Sequence, residues 1–258
     1  MTIETILSPA ELPALARRDL RAAACVVFDI LRATSTFVTA LQNGAEKIIP
    51  VSEISEAVAL KKKIPGVLLA GERDGVRIRA AQSGGVDFDF GNSPREFAPE
   101  KIRGQTIVST TTNGTRALRA CAGAECVLAG SFLNLAATAE FLRQKNFATV
   151  LLVCAGTGEG VADEDVLAAG GILENIQHPT SNIQHPIHGG GRMDNASQIA
   201  LGNFQRMKTD LAAAIGSSQN GRRLLANAEL RDDVAFCAQR DVFDLVAVLG
   251  ADGALRRV

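Results

Sequence analysis

Four short segments of this chain gather side chains suited to handling phosphate or a hard cation. Asp29 and Arg32 lead into Thr34-Ser35-Thr36, and Glu72-Arg73 follows Gly71. Thr111, Thr112, Asn113, Gly114, Thr115 and Arg116 close a run that opens at Ser109. A fourth segment, Gly156-Thr157-Gly158-Glu159-Gly160, precedes the acidic cluster Asp163-Glu164-Asp165. Arginine forks match phosphate oxygens bidentately. Hydroxyls and free N–H groups at a helix start add further donors, helped by the helix dipole. Arg32, Arg73 and Arg116, with Ser35, Thr36, Thr111, Thr112, Asn113, Gly114 and Thr115, are therefore expected to cradle a ligand with more than one negative group. A Thr/Ser cluster also serves as a plain N-cap, and an isolated arginine as a surface ion pair. Co-location at several strand ends is what argues for a site.

Elimination narrows the chemistry. All three histidines, His178, His185 and His188, fall in one proline- and glycine-rich stretch containing a seven-residue direct repeat of IQHP. That stretch, at about 177–192, reads as a surface insertion, which leaves neither a histidine-rich metal site nor a Ser–His–Asp triad. Cys25 is one residue too far from Arg32 for a cysteine-phosphatase loop, and Leu31 stands where a paired-aspartate phosphatase needs its second carboxylate. What remains is carboxylates, hydroxyls and arginines. This inventory suits a hard cation with oxygen ligands, and Mg²⁺ typically takes one or two carboxylates plus water and substrate phosphate. Asp29, Glu72 and Asp165 are the expected catalytic residues and metal ligands. Asp29 could instead cap the following turn, Glu72 could pair with Arg73, and the acidic cluster could sit as favourable charge at a helix start. Two versions of the reaction stay open. Either Asp29 or Asp165 orients an attacking water, or Asp29 carries the phosphoryl group covalently.

Strands must position these groups. Short β-branched runs predict strands at 25–30, 47–51, 67–70, 106–109, 126–129 and 149–154. Helix-period segments fall between them at 35–43, 55–63, 114–121 and 135–144. Apolar strands without polar alternation require cover on both faces. The expected fold is α/β: one three-layer α/β/α sandwich over residues 1–258, with a mainly parallel sheet that can admit antiparallel strands. In open parallel sheets ligands bind outside the carboxyl ends of the strands, where the polar segments lie. The second half reads as more helical, with apolar stripes at Val166, Ala169, Leu173 and Ile176 and again from Ala196 to Ala214. Gly170 and Gly171 inside the first stripe suggest close helix packing, and 244–249 a returning strand.

With 47% hydrophobic residues the chain can bury a substantial core, and a net charge of -1 calls for neither nucleic acid nor an anionic membrane. Five cysteines without framework spacing fit buried thiols in a reducing cytoplasm. The opening residues lack a secretory pattern, and no apolar run is long enough to span a bilayer. A homodimer is the default assembly for a metabolic enzyme of this kind.

The same segments resemble the 2-phosphosulfolactate phosphatase family over nearly the whole chain. The matching stretches are VVFDILRATSTFVTALQNGA, AGER, FDFGNSP, STTTNGTRAL, GSFLN, CAGT with EDVLAAG, and DDVAFCAQRD. The repeat-bearing insertion lies outside the family pattern. The resemblance implies Mg²⁺-dependent hydrolysis of 2-phosphosulfolactate to sulfolactate and phosphate, a step of the coenzyme M biosynthesis type. It also supports the three-layer fold and draws Asn92, in FDFGNSP, into the substrate-binding set. A phosphatase of another small phosphorylated carboxylic acid, or a non-catalytic anion-binding protein, would use the same cradles.

Overall fold

The computed structural model describes residues 1–178 and 192–258. Most of the 177–192 insertion, including His185 and His188, lies outside the described residues. Eleven strands form one sheet: β1 (Thr2–Ile6), β2 (Ala23–Phe28), β3 (Lys47–Pro50), β4 (Leu68–Arg73), β5 (Val76–Arg77), β6 (Thr106–Thr110), β7 (Cys126–Gly130), β8 (Thr149–Cys154), β9 (Arg192–Met193), β10 (Ala247–Leu249) and β11 (Leu255–Arg257). Their order is β5-β4-β6-β3-β11-β10-β7-β2-β8-β1-β9.

The sheet is mixed, in two parallel blocks. β7, β2, β8 and β1 run parallel, as do β3, β6 and β4. Between them stand three antiparallel pairings in succession, β7 with β10, β10 with β11, and β11 with β3. An odd number of reversals sets the two blocks in opposite senses. In a flat sheet their carboxyl ends would lie on opposite edges. Residues following β2, β4, β6 and β8 nevertheless line one pocket, so the sheet must coil between the blocks. Strand twist accumulates across the short hairpin, and β11 touches β3 through the single register pair Leu255–Ile48. The rim expected of a simple parallel sheet is reached by a different route.

Strand β2 shows why the central strands are continuously apolar. Cys25 and Val27 join the core on one face, while Ala24, Val26 and Phe28 join that on the other. The first face is filled by the helix Ala33–Gln42, buried at every position from Ala33 to Leu41 and packed against β3, β7, β10 and β11. The opposite face carries the helices Leu135–Lys145, Asp163–Gln177 and Asn195–Met207. Helix Ile54–Lys63 packs on β4 and β6 over a smaller core of Val67, Leu69, Ile78, Phe88 and Val108.

Gly170 brings two helices into contact. A Cβ there would stand 2.2 Å from the Ala200 carbonyl oxygen of helix Asn195–Met207, closer than any atom tolerates. The two glycines thus do what their place in the helix suggested. All five cysteines are free, and Cys25, Cys121, Cys154 and Cys237 are buried as expected. Among the described residues, no helix is long and apolar enough to cross a membrane.

Candidate active site

Asp29 follows β2 and is buried where that strand turns into helix Ala33–Gln42. Its Oδ1 accepts a hydrogen bond from the Ala33 backbone N–H at 3.1 Å, so it caps the helix that succeeds it. The expected hydroxyl cradle is spent inside the protein. Thr34 Oγ1 exchanges bonds with the Asp29 backbone, and Ser35 Oγ donates to the Ile30 carbonyl and meets Ser131 Oγ. Thr36 Oγ1 donates to the Asn92 carbonyl at 2.9 Å. These hydroxyls fix the loop that carries Asp29; they do not face a ligand. A helix buried on all sides must satisfy its polar groups internally.

Glu72 arrives from β4. Its Oε1 accepts from the Thr112 backbone N–H and Oγ1, both at 3.0 Å, and its Oε2 accepts from the Gly75 N–H at 2.7 Å. Asp74 and Gly75 form a two-residue hairpin between β4 and β5, both with positive φ (56° and 78°), as an Asp-Gly turn allows. Arg73, one residue after Glu72, projects to the opposite side, as side chains on a strand must. Its guanidinium donates to the Ser52 carbonyl at 3.1 Å and Thr110 Oγ1 at 3.0 Å. Arg73 braces the sheet and does not line the pocket.

The turn after β6 divides in the same way. Thr112 and Asn113 face the pocket. Thr111 and Thr115 bond each other across the first helical turn. Gly114 lies against the key carboxylate: a Cβ there would meet Asp29 Oδ2 at 2.8 Å and Ala33 Cβ at 2.6 Å. Arg116, partly buried, pairs with the exposed Glu159 at 2.7 Å, outside the pocket lining.

The pocket has a volume of about 250 Å³, and Asp29, Arg32, Glu72, Asp74, Asn92 and Thr112 are among its walls. Arg32 is buried, its Nη1 is 2.8 Å from Asp233 Oδ2, and its Nη2 donates to the Gly75 carbonyl at 3.0 Å. Asn220, Arg223 and Leu224, from helix Gln219–Leu225, close the remaining side. None of these three was expected, since a polar helix far along the chain carries no signal that it caps a distant site. The Asp74-Gly75 dipeptide did carry one, as a hairpin marker.

Asp165 departs from the expected metal set. Its Oδ1 accepts from the Ile30 N–H at 2.8 Å and its Oδ2 from the Gly156 N–H at 3.0 Å, so it clamps the loops after β2 and β8 from behind. Burial, with Glu164 and Asp29 nearby, pushes its carboxyl well up, against the pull of the two N–H donors. Its neighbour Glu164 is also buried. Asn220 Nδ2 donates to Glu164 Oε1 at 2.7 Å, while Oε2 has no partner. Among the described residues no group of three His, Cys, Asp or Glu forms a ready metal cage.

Electrostatics mark Asp29. Burial raises its carboxyl to about 7, opposed by the Ala33 N–H and reinforced by Glu72 and Glu164. Asp29, Glu72 and Asp74 line the pocket against Arg32 and Arg223, and Arg32 is already matched by Asp233. A phosphate ester entering alone would meet more negative charge than positive. Asp29 and Glu72 on one cavity whose acids outnumber its guanidinium groups would suit Mg²⁺, which takes one or two carboxylates together with water and phosphate. The three hydrogen bonds on Glu72 leave one acceptor site, on Oε2, free for ligation.

The profile of the 2-phosphosulpholactate phosphatase family matches residues 9–252. The chain belongs to that family. Its members are phosphoric monoester hydrolases by description, consistent with a carboxylate-lined pocket. A probable 2-phosphosulfolactate phosphatase of Caldanaerobacter subterraneus subsp. tengcongensis is 39% identical over 90% of each chain. Proteins so described from Caldicellulosiruptor saccharolyticus and Thermotoga maritima are 46% and 39% identical, over 86% of both chains and over 87% and 88% respectively.

Proposed function

We propose that this family member hydrolyses 2-phosphosulfolactate to sulfolactate and inorganic phosphate, with Mg²⁺ held by Asp29 and Glu72. The observation that carries the reading is the presence of those two carboxylates in one pocket whose only cationic walls among the described residues are Arg32 and Arg223. A bound Mg²⁺ would supply charge neutralisation for the phosphoryl oxygens. The protein's own groups do the rest. Arg32, held rigid by Asp233 and the Gly75 carbonyl, presents a fixed face of its guanidinium to the substrate. Arg223, exposed at the rim, matches the charge of the carboxylate or sulfonate. Asn92 and Asn113 add neutral polar groups to the wall.

Asp29 is the group placed to orient the attacking water. The carboxyl near 7 belongs to the metal-free site; a bound Mg²⁺ would draw it down and leave Asp29 ionised, able to accept a hydrogen bond from that water. Glu164 adds negative charge near Asp29, which would favour a cation there. Asp165 works as a positioning residue through the Ile30 and Gly156 N–H groups. A step of the coenzyme M type is the metabolic setting that this substrate suggests.

The test is phosphate release from 2-phosphosulfolactate, phospholactate and phosphoglycolate, each with Mg²⁺ and with chelator. Preference for the sulfonate-bearing ester, abolished by chelator, supports the proposal. Equal turnover of all three would replace the substrate, and chelator-resistant turnover would remove the metal.

A further inference from the structure

A second cavity of about 380 Å³ adjoins the first, sharing Arg32, Gly75 and Asn92 as a common wall. Beyond that wall it is lined by Arg77 of β5, Arg79 just after it, and Arg95. None of the three contributes to the first pocket. The acids facing it are few and engaged. Glu96 accepts from the Gly91 N–H at 2.9 Å and the Ser93 N–H at 3.4 Å, and Glu229 sits exposed on the rim. Beneath the floor, Asp233 serves Arg32 at 2.8 Å, Ser93 Oγ at 2.7 Å and Arg95 at 3.5 Å, while exposed Asp232 touches Arg95 at 3.3 Å.

Arg77 and Arg79 have no carboxylate within ion-pair distance among the described residues. The Nε of Arg77 is enclosed and has no hydrogen-bond partner there. Three guanidinium groups around a cavity, two of them without a carboxylate partner among the described residues, make a receptor for a tetrahedral oxyanion.

We propose that this cavity is a second anion site, taking a small phosphate- or sulfate-bearing molecule, separate from the reaction pocket. It lacks Asp29 and Glu72, so it binds its ligand without a divalent cation and without turnover. The shared wall couples the two sites. An anion in the second cavity draws on the field of Arg32 and weakens anion binding in the first. This site stands whether or not the first pocket hydrolyses 2-phosphosulfolactate.

Inorganic sulfate is the probe, titrated into metal-free protein at constant ionic strength, with arginine Nε–Hε resonances followed by ¹⁵N NMR. Arg77 should shift along a saturable curve, while Arg223 reports separately on the first pocket. Arg79→Gln, an exposed change that the fold tolerates, should weaken the Arg77 curve by about tenfold or more, since charge-assisted bonds are of that strength. Its turnover at low sulfate should stay within about twofold of wild type. A linear Arg77 response like that of exposed Arg17 and Arg103, or an unchanged curve in Arg79→Gln, would overturn the site.

Discussion

Replacing Asp29 with Asn should abolish turnover and yet stabilise the metal-free protein at neutral pH. In the folded state the Asp29 carboxyl is raised from 3.8 to about 7, first by burial and then by Glu72 and Glu164. Between those limits the folded chain holds a proton that the unfolded chain has released. Stability from this group is therefore full below about pH 4, falls as pH rises, and is lost above about 7. Each tenfold in proton affinity is about 1.4 kcal/mol, so the ionised carboxylate costs up to about 4 kcal/mol at pH 8. Asn keeps the shape and an oxygen for the Ala33 N–H but carries no charge. In a chain of this size about 4 kcal/mol corresponds to a melting-temperature gain on the order of 10 °C. Circular-dichroism melts of chelator-dialysed protein from pH 4.5 to 8 measure it. The Asp29→Asn advantage should grow with pH, and added Mg²⁺ should stabilise wild type alone. An advantage that is absent at pH 8, or independent of pH, would refute the reasoning.

Asp233→Ala strips a buried arginine and a serine of their partner and should cost about 3–5 kcal/mol in urea denaturation; less than 1 kcal/mol would show Arg32 to be well solvated. Gly114→Ala pushes a methyl group against Asp29 and Ala33, so kcat should drop by at least about tenfold with the far-UV spectrum intact. Unchanged kcat would mean that Asp29 need not be held where it is. Arg73→Ala should lower stability by about 1–2 kcal/mol and leave KM within about twofold, because its guanidinium bonds Ser52 and Thr110. A KM raised tenfold would return it to the substrate.

Much of the sheet was legible because buried parallel strands have a plain signature. β8 begins and ends where its apolar run does, and β3, β6 and β7 end within a residue of expectation. β1 was not foreseen: Thr2–Ile6 is short and alternates polar with apolar residues, and its partners β8 and β9 lie far along the chain. β10 falls within the returning strand expected at 244–249, but β11 and the antiparallel reversal were hidden, since three-residue strands leave little pattern.

At the site, residue type pointed to the right loops but not to the direction each side chain takes. Glu72 and Arg73 are adjacent on one strand, so only one could face the pocket, a rule that the sequence already contained. The hydroxyls of Thr34, Ser35 and Thr36 look like an anion cradle until the helix after Asp29 is seen to be wholly buried. Burial then directs them to the backbone. Asn220 and Arg223 come from a helix placed by tertiary packing, which no local pattern reports.

The central claim is that Asp29 and Glu72 jointly hold the divalent ion. A crystal of the protein grown with Mn²⁺ in place of Mg²⁺, its metal located by anomalous scattering, tests it most directly. One strong peak is expected at coordination distance, about 2.0–2.3 Å, from a carboxylate oxygen of each residue. A metal bound elsewhere, or bound by Asp165 with Glu72 out of reach, would contradict it.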